Sequence, residues 1–415
     1  MTRCSCALCV LLLAAACVDV AKAQPRPVVT NGQAPASASG SAGFDGDGYV
    51  YVAGQSARRA DGSVSEKFSE QVQQSLDNVK SVMQAAGLTM DYVVYVQVYL
   101  QDVSHYAELN QVFAAYFPKD PPARAVLGVA RNPQSPVQIN AVAVRDLTGR
   151  RSISPKGLPS NKAFSAGLLT HDRLFISTMP GLDPTNGNVP SKPGDQVDTA
   201  LDRLTLVLQA AGLTAANMVF VNPYLTSDIS MRIMNEHYAR RFEFGNTPAR
   251  ATIEVSALPE GAHIAYTGIA VRDLTHRRAI RPKNMPPSPT ASPCVFAGDT
   301  LYCSAKSGFI PGPNGGIYMA ETADQTRQTM RNLLDNLEEA EMNFDQVVST
   351  TIYLDDLAES AAFRDIYKKY FKGSLPAETT LQQLSPGDRK ADAEGQYPTL
   401  EQMSLIAVRA PSTAH

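Results

Sequence analysis

The chain contains no tryptophan, and its six histidines (His105, His171, His237, His263, His276, His415) form no His-x-x-x-His or His-x-His pair. A metal centre built on paired imidazoles is therefore not expected. No G-x-S-x-G elbow, P-loop or G-x-G-x-x-G is present either, which removes the common nucleophile and phosphate signatures. Charge of one sign is also scarce. With 37 basic and 40 acidic side chains the net charge is −3, so no electrostatic feature calls for a nucleic acid. The small basic clusters Arg150-Arg151 and Arg277-Arg278-Arg281 read as solvated starts of connectors. Beyond the N-terminus no apolar run reaches the roughly 18 residues a membrane-spanning helix needs.

Cysteine is nearly absent from the body of the chain. Four of the six (Cys4, Cys6, Cys9, Cys17) lie in the first 17 residues, where Arg3 precedes the apolar run Ala7 to Val18 and Ala21-Lys22-Ala23 follows it. A basic start, a short apolar core and an A-x-A ending predict a secretory signal peptide over residues 1–23. Leu13-Ala14-Ala15-Ala16-Cys17 also resembles a bacterial lipoprotein box, which would lipidate Cys17 and make the only membrane attachment expected. Either route predicts a secreted or periplasmic protein. The two remaining cysteines, Cys294 and Cys303, flank a hairpin turning at Gly298-Asp299. A two-residue turn there puts them directly opposite at a non-hydrogen-bonded pair, close enough for a disulfide. Two buried free thiols are the alternative.

The organising feature is repetition. Ala85-Ala86-Gly87-Leu88-Thr89 recurs as Ala210-Ala211-Gly212-Leu213-Thr214, and Val144-Arg145-Asp146-Leu147-Thr148 recurs as Val271-Arg272-Asp273-Leu274-Thr275. The aromatic-rich stretch from Asn110 to Arg124 returns as Asn235 to Arg250 and, altered, as Arg364 to Glu378. A period of about 126 residues is the size of a whole small domain. Pro-rich connectors near residues 154–161 and 281–293 separate the copies. Within a copy a hairpin precedes a long amphipathic helix. In the first copy Phe68, Val72, Leu76, Val79, Met83 and Ala86 recur at steps of four and three, and Gly87 stands at the helix C-terminus. A strand, a second helix and two more strands follow. The pattern predicts an α+β fold of β-β-α-β-α-β-β repeats with helices on one sheet face. The three bare faces can bury one another around a pseudo-threefold axis, giving within one monomer the closed symmetry a homotrimer would use.

These motifs together resemble the RidA (YjgF, L-PSP) family: Val52-Ala53-Gly54-Gln55, Ser75-Leu76-Asp77-Asn78-Val79-Lys80, the Ala-Ala-Gly-Leu ending, and Asn-x-x-Phe/Tyr leading to Pro-Ala-Arg. The likeness covers RidA-like repeats at 27–150, 160–278 and a divergent 288–410, and it implies a chorismate-mutase-like pseudo-trimer with a cleft between each pair of neighbours. It also implies hydrolysis of 2-imino acids to 2-oxo acids and ammonia, without a cofactor. Arg124 and Arg250 would bind the substrate carboxylate, consistent with the two parallel bonds a guanidinium offers. Asn110, Asn235, Phe164 and Ser177 are expected beside them, with Ser304 as a further hairpin serine. The first repeat has Ala53 in its place.

Two departures bear on activity. Glu378 replaces the arginine in the third repeat and Arg364 its companion asparagine, which predicts a local pair and a cleft closed to imino acids. The carboxylate base that the resemblance implies on the last strand maps to Asn140, Thr267 and Ser404, none of which can act as one. A deaminase and a non-catalytic protein that binds small carboxylates are both compatible with this pattern.

Overall fold

The computed structural model describes residues 24–30, 40–283, 285–312 and 315–409. The expected leader at residues 1–23, with Cys17, lies outside them. Each repeat is one sheet backed by two helices, as its sequence pattern dictates. In the first repeat the strands pair in the order Arg26–Pro27, Gly43–Gly46, Tyr49–Ser56, Val137–Val144, Val93–Leu100, Ala123–Gly128. The other two repeats follow the same order, and the edge strand after the second helix is parallel to its neighbour in all three. The long helices α1 (Phe68–Ala85), α3 (Pro193–Ala210) and α5 (Thr322–Glu339) lie against the outer sheet faces. Their shorter companions are α2 (Tyr106–Tyr116), α4 (Met231–Ala239) and α6 (Ser360–Tyr367).

Gly87 and Gly212 follow α1 and α3 at φ +75° and +76°, the left-handed backbone that glycine adopts without penalty. The third repeat makes the same turn with Glu341 at φ +60°. The connectors do not simply separate domains. Arg151–Ile153 pairs with the second sheet, and Arg277–Ile280 pairs with the third. A boundary at 278 therefore falls inside a strand of the following repeat, because an extended connector can satisfy its backbone groups on a free sheet edge. Cys294 and Cys303 stand opposite each other in register and form a disulfide.

The inner faces of the three sheets meet in one apolar cluster to which every repeat contributes, including Tyr51, Tyr95, Phe175, Tyr224, Tyr302 and Tyr353. Side-chain stitches close the ring. Ser165 Oγ donates to Pro121 O (2.6 Å), Ser292 Oγ to Thr247 O (2.6 Å), and Ser41 Oγ to Leu375 O (2.7 Å), linking the first repeat to the second, the second to the third and the third to the first. The result is a closed pseudo-trimer.

At one end of the cluster the equivalent positions Tyr49, Arg173 and Thr300, each paired with the valine of its own last strand, come together. Arg173 is 1% exposed and holds Asp47 at 2.8 Å and Asp172 at 3.1 Å. It also donates to Tyr302 OH and Thr300 Oγ1, each at 3.0 Å, and its guanidinium carbon lies 4.4 Å from the Tyr49 ring centre. These partners come from all three repeats.

Candidate active site

The clefts form where the parallel edge strand of one repeat meets the hairpin of the next. In the first, Arg124 lies on the strand Ala123–Gly128 and is 2% exposed. Its backbone N–H donates to Ser177 Oγ (2.7 Å), and that hydroxyl donates to Ser165 O (2.6 Å). Ser177 is fully buried and its only proton is committed, so it fixes the arginine's backbone instead of presenting a group to the cleft. Arg124 Nη2 donates to Asn110 Oδ1. The guanidinium carbon lies 4.6 Å from the Phe113 ring centre, 4.8 Å from Phe164 and 5.6 Å from Tyr106. Cations favour such ring faces, and the rings also orient the planar group.

Nη1 of Arg124 is buried with no hydrogen-bond acceptor, and among the described residues no carboxylate lies within 4.0 Å of the guanidinium. Burial lowers the pKa of Arg124, opposed by the nearby Tyr106 hydroxyl. Arginine does not escape such a site by losing its proton. Arg124 therefore presents a desolvated cation with an open donor, which an anion of suitable shape would complete.

The walls are completed by Thr178, Pro180, Leu258, Glu260, Ala262 and Ala265, all from the second repeat. The position of the last strand that reaches Arg124 is thus Ala265, not Thr267. Thr267 Oγ1 donates to Ile176 O and contacts Tyr95 OH at 3.0 Å inside the core. Asn140 likewise lines a cavity on the axis with Gln97, Asn222, Thr351 and Ser404, and its Nδ2 donates to Thr379 Oγ1 at 3.1 Å. Asn140 and Thr267, expected from the resemblance as substrate-binding residues on the last strand, are both corrected by this placement. Residues two apart on a strand share a face but sit about 7 Å apart along it, which is enough to exchange a cleft position for an axial one. Counting by register, the equivalents of Ala265 are Gln138 and Gln402. No last-strand carboxylate serves any cleft at this position.

The carboxylate that lines the first cleft is Glu260, which spacing arguments did not single out. It follows Pro259 and precedes Gly261 in a tight turn, exposed, with φ +61° and ψ +19°. A non-glycine residue in this region is uncommon and tends to mark functional turns. The Leu258-Pro259-Glu260-Gly261 turn was the signal available in the sequence.

The second cleft keeps the polar core with plainer walls. Arg250 Nη1 donates to Asn235 Oδ1 (2.7 Å), its N–H donates to Ser304 Oγ (2.8 Å), and its guanidinium carbon is 5.2 Å from the Tyr238 ring. Burial lowers its pKa, countered by Tyr238 and Tyr266. Ser292 takes the place of Ser165, so Ala291 stands where the first cleft has Phe164, and Met231 stands where it has Tyr106. In the third cleft Arg364 Nη2 donates to both oxygens of Glu378, at 3.2 and 3.0 Å, and Thr380 adds a bond of 2.6 Å. The charge order is reversed and the carboxylate is already engaged.

Comparison with known proteins agrees with this architecture. The family model described as Endoribonuclease L-PSP matches three times in tandem, at residues 31–145, 156–272 and 284–386. Similar proteins include the 2-iminobutanoate/2-iminopropanoate deaminase of Rattus norvegicus, 34% identical over 125 residues that cover 30% of this chain and 90% of the relative. The Salmonella typhimurium protein of the same name is 39% identical over 88 residues, 20% of this chain and 69% of the relative. A chorismatase crystal structure overlaps 77% of this chain and 93% of its own at a TM-score of 0.52 and 12% identity, a likeness of fold alone. With family matches over most of its length and a sheet-and-helix unit repeated three times, the chain belongs to the L-PSP family, to which the RidA-like imine deaminases also belong.

Proposed function

We propose that the first cleft binds the carboxylate of a small 2-imino acid on Arg124 and promotes hydrolysis of its C=N bond. The observation that carries this reading is the buried, counter-ion-free guanidinium of Arg124 with Nη1 unpartnered. A structural arginine at that depth would be expected to own a carboxylate, and among the described residues none lies within 4.0 Å of this one. Asn110 holds the other terminal nitrogen, so the donor pair is pre-oriented for a bidentate acceptor. With the carboxylate held there, the imine carbon faces the second-repeat wall. Water adds to that carbon, a proton passes to the imine nitrogen, and the resulting carbinolamine expels ammonia to leave the 2-oxo acid. Glu260, at the same wall, is the group that can take the proton from the attacking water. The second cleft binds the same carboxylate group through Arg250 but lacks the aromatic enclosure.

A second reading, capture of a small carboxylate without turnover, is favoured by Ala265, Gln138 and Gln402 at the strand position facing the clefts. A coupled assay separates the two, with 2-iminopropanoate generated in situ by an amino-acid oxidase. Wild type should accelerate imine decay, Arg124→Ala should remove most of the acceleration, and Arg124→Ala with Arg250→Ala should return the spontaneous rate. No acceleration by wild type would move the assignment to the binding reading, and acceleration surviving in the double variant would place the chemistry elsewhere. The disulfide and the leader expected from the sequence together support a working location in an oxidising compartment outside the cytoplasm.

A further inference from the structure

Beyond Arg124 the first cleft widens into an outer chamber of about 170 Å³, against about 30 Å³ around the guanidinium itself. Tyr106, Phe164, Thr178, Pro180 and Glu260 wall both spaces, so the two chambers adjoin. Arg203 of α3 lines the outer one. Its Nη1 donates to Pro180 O (3.4 Å) and Leu182 O (2.9 Å), tying the hairpin strand to the helix. The equivalent residues of α1 and α5 are asparagines that make the same two ties. Asn78 donates to Ser56 O (2.8 Å) and Arg58 O (2.9 Å), and Asn332 to Ser307 O and Phe309 O, both at 3.0 Å. A neutral amide is therefore sufficient for the mechanical task in two repeats out of three.

The charge of Arg203 is surplus to that task. Its Nε is buried without an acceptor, and burial lowers its pKa while Glu260 opposes the shift. We propose that the first cleft is built for an elongated ligand, a 2-imino or 2-oxo acid whose side chain ends in a second carboxylate. The first carboxylate sits on Arg124, the methylene stem crosses the neck between Tyr106 and Phe164, and the far carboxylate meets Arg203. Glu260 partly offsets that cation, so the gain from the second carboxylate is moderate. This selectivity is particular to the first cleft, since the helix facing the second carries Asn332 and that facing the third carries Asn78. The inference rests on the carboxylate-binding reading of Arg124 given above.

The test is calorimetric titration of the full chain with 2-oxopentanedioate and with 2-oxopentanoate, which have the same carbon chain and differ in the terminal group. Wild type should bind the dicarboxylate about tenfold more tightly. Arg203→Asn, the residue its sister repeats use, should bring the affinity ratio close to one, and Arg124→Ala should weaken both ligands. A wild-type ratio of one or less overturns the inference, as does a raised ratio that Arg203→Asn leaves unchanged. If neither ligand binds in a manner dependent on Arg124, the carboxylate-clamp reading falls and takes this inference with it.

Discussion

Two arginines of this chain are buried almost to the same degree, Arg173 at 1% exposure and Arg124 at 2%, yet their surroundings are opposite. Arg173 has Asp47 and Asp172 as counter-ions and hydroxyls from the third repeat. Despite the cost of burial, its neighbours hold its pKa well above the usual arginine range, whereas burial without a carboxylate pulls that of Arg124 down. Taking a cation out of water costs several kcal/mol, which Arg173 offsets with carboxylates of the fold and Arg124 does not. Burial alone does not mark a site. The missing counter-ion is what separates the arginine of the proposed site from the structural one.

The largest expected effect lies on the structural side. Arg173→Ala should cost about 3–5 kcal/mol in denaturant unfolding, because Asp47 and Asp172 would lose the cation that compensates their partial burial. Loss of under about 1 kcal/mol would show that the cluster is hydrated and that the contrast with Arg124 has been overdrawn.

A buried acid sharpens the comparison next. Glu401 stands where the other repeats carry Val137 and Ile264, 2% exposed, with Thr329 donating to one carboxyl oxygen and the other unpartnered. Burial pushes its pKa up to about 8. Unlike arginine, a carboxyl group can answer desolvation by keeping its proton, so its unpartnered oxygen does not call for a ligand. Below the unfolded value near 4.3 both states are protonated and no penalty exists. As pH rises from there toward 8 the unfolded chain ionises first and the native state loses ground, by about 1 kcal/mol per pH unit. Above that range the penalty is constant. Glu401→Val should therefore raise thermal stability, with an advantage that grows between pH 4.5 and 8 and then levels. An advantage independent of pH would mean that the carboxyl is not desolvated.

The smallest expected change is in the stability of Arg124→Ala. Its loss relieves an unsatisfied cation but also removes the contacts with Phe113, Phe164, Tyr106 and Asn110, and these offset, so unfolding free energy should move by less than about 1 kcal/mol while ligand binding collapses. A large destabilisation would return Arg124 to the structural class.

Much of the fold was legible because it is written three times. The Ala-Ala-Gly-Leu helix ends, the helical spacing from Phe68 to Ala86 and the hairpin register of Cys294 and Cys303 all follow from local rules that the structure obeys. The pairing of Arg364 with Glu378 was legible too, since each replaced its counterpart at matching positions. Asn140 and Thr267 were misplaced because alternation along a strand fixes which face a residue takes but not how far along the cleft it falls. Glu260 and Arg203 were missed for another reason. One belongs to a tight turn, the other replaces an asparagine on a helix, and only their three-dimensional convergence on the Arg124 cleft gives either a meaning.

The convergence of Tyr49, Arg173 and Thr300 also bears on how such a molecule can arise. When one gene product assembles with two copies of itself, a substitution next to the symmetry axis occurs three times at once. An arginine there would appear three times, each with the carboxylate of its own repeat, in a space that here holds Arg173 beside Tyr49 and Thr300. With the three copies joined in one chain each axial position can differ alone, and because Arg173 takes Asp47 from one neighbour and Thr300 from the other, the copies are not interchangeable. In a ring of second repeats alone Arg173 would keep Asp172 but lose Asp47 and Thr300, which come from the other two repeats. The same asymmetry extends to the clefts, which carry Arg124, Arg250 and Glu378 at one shared position.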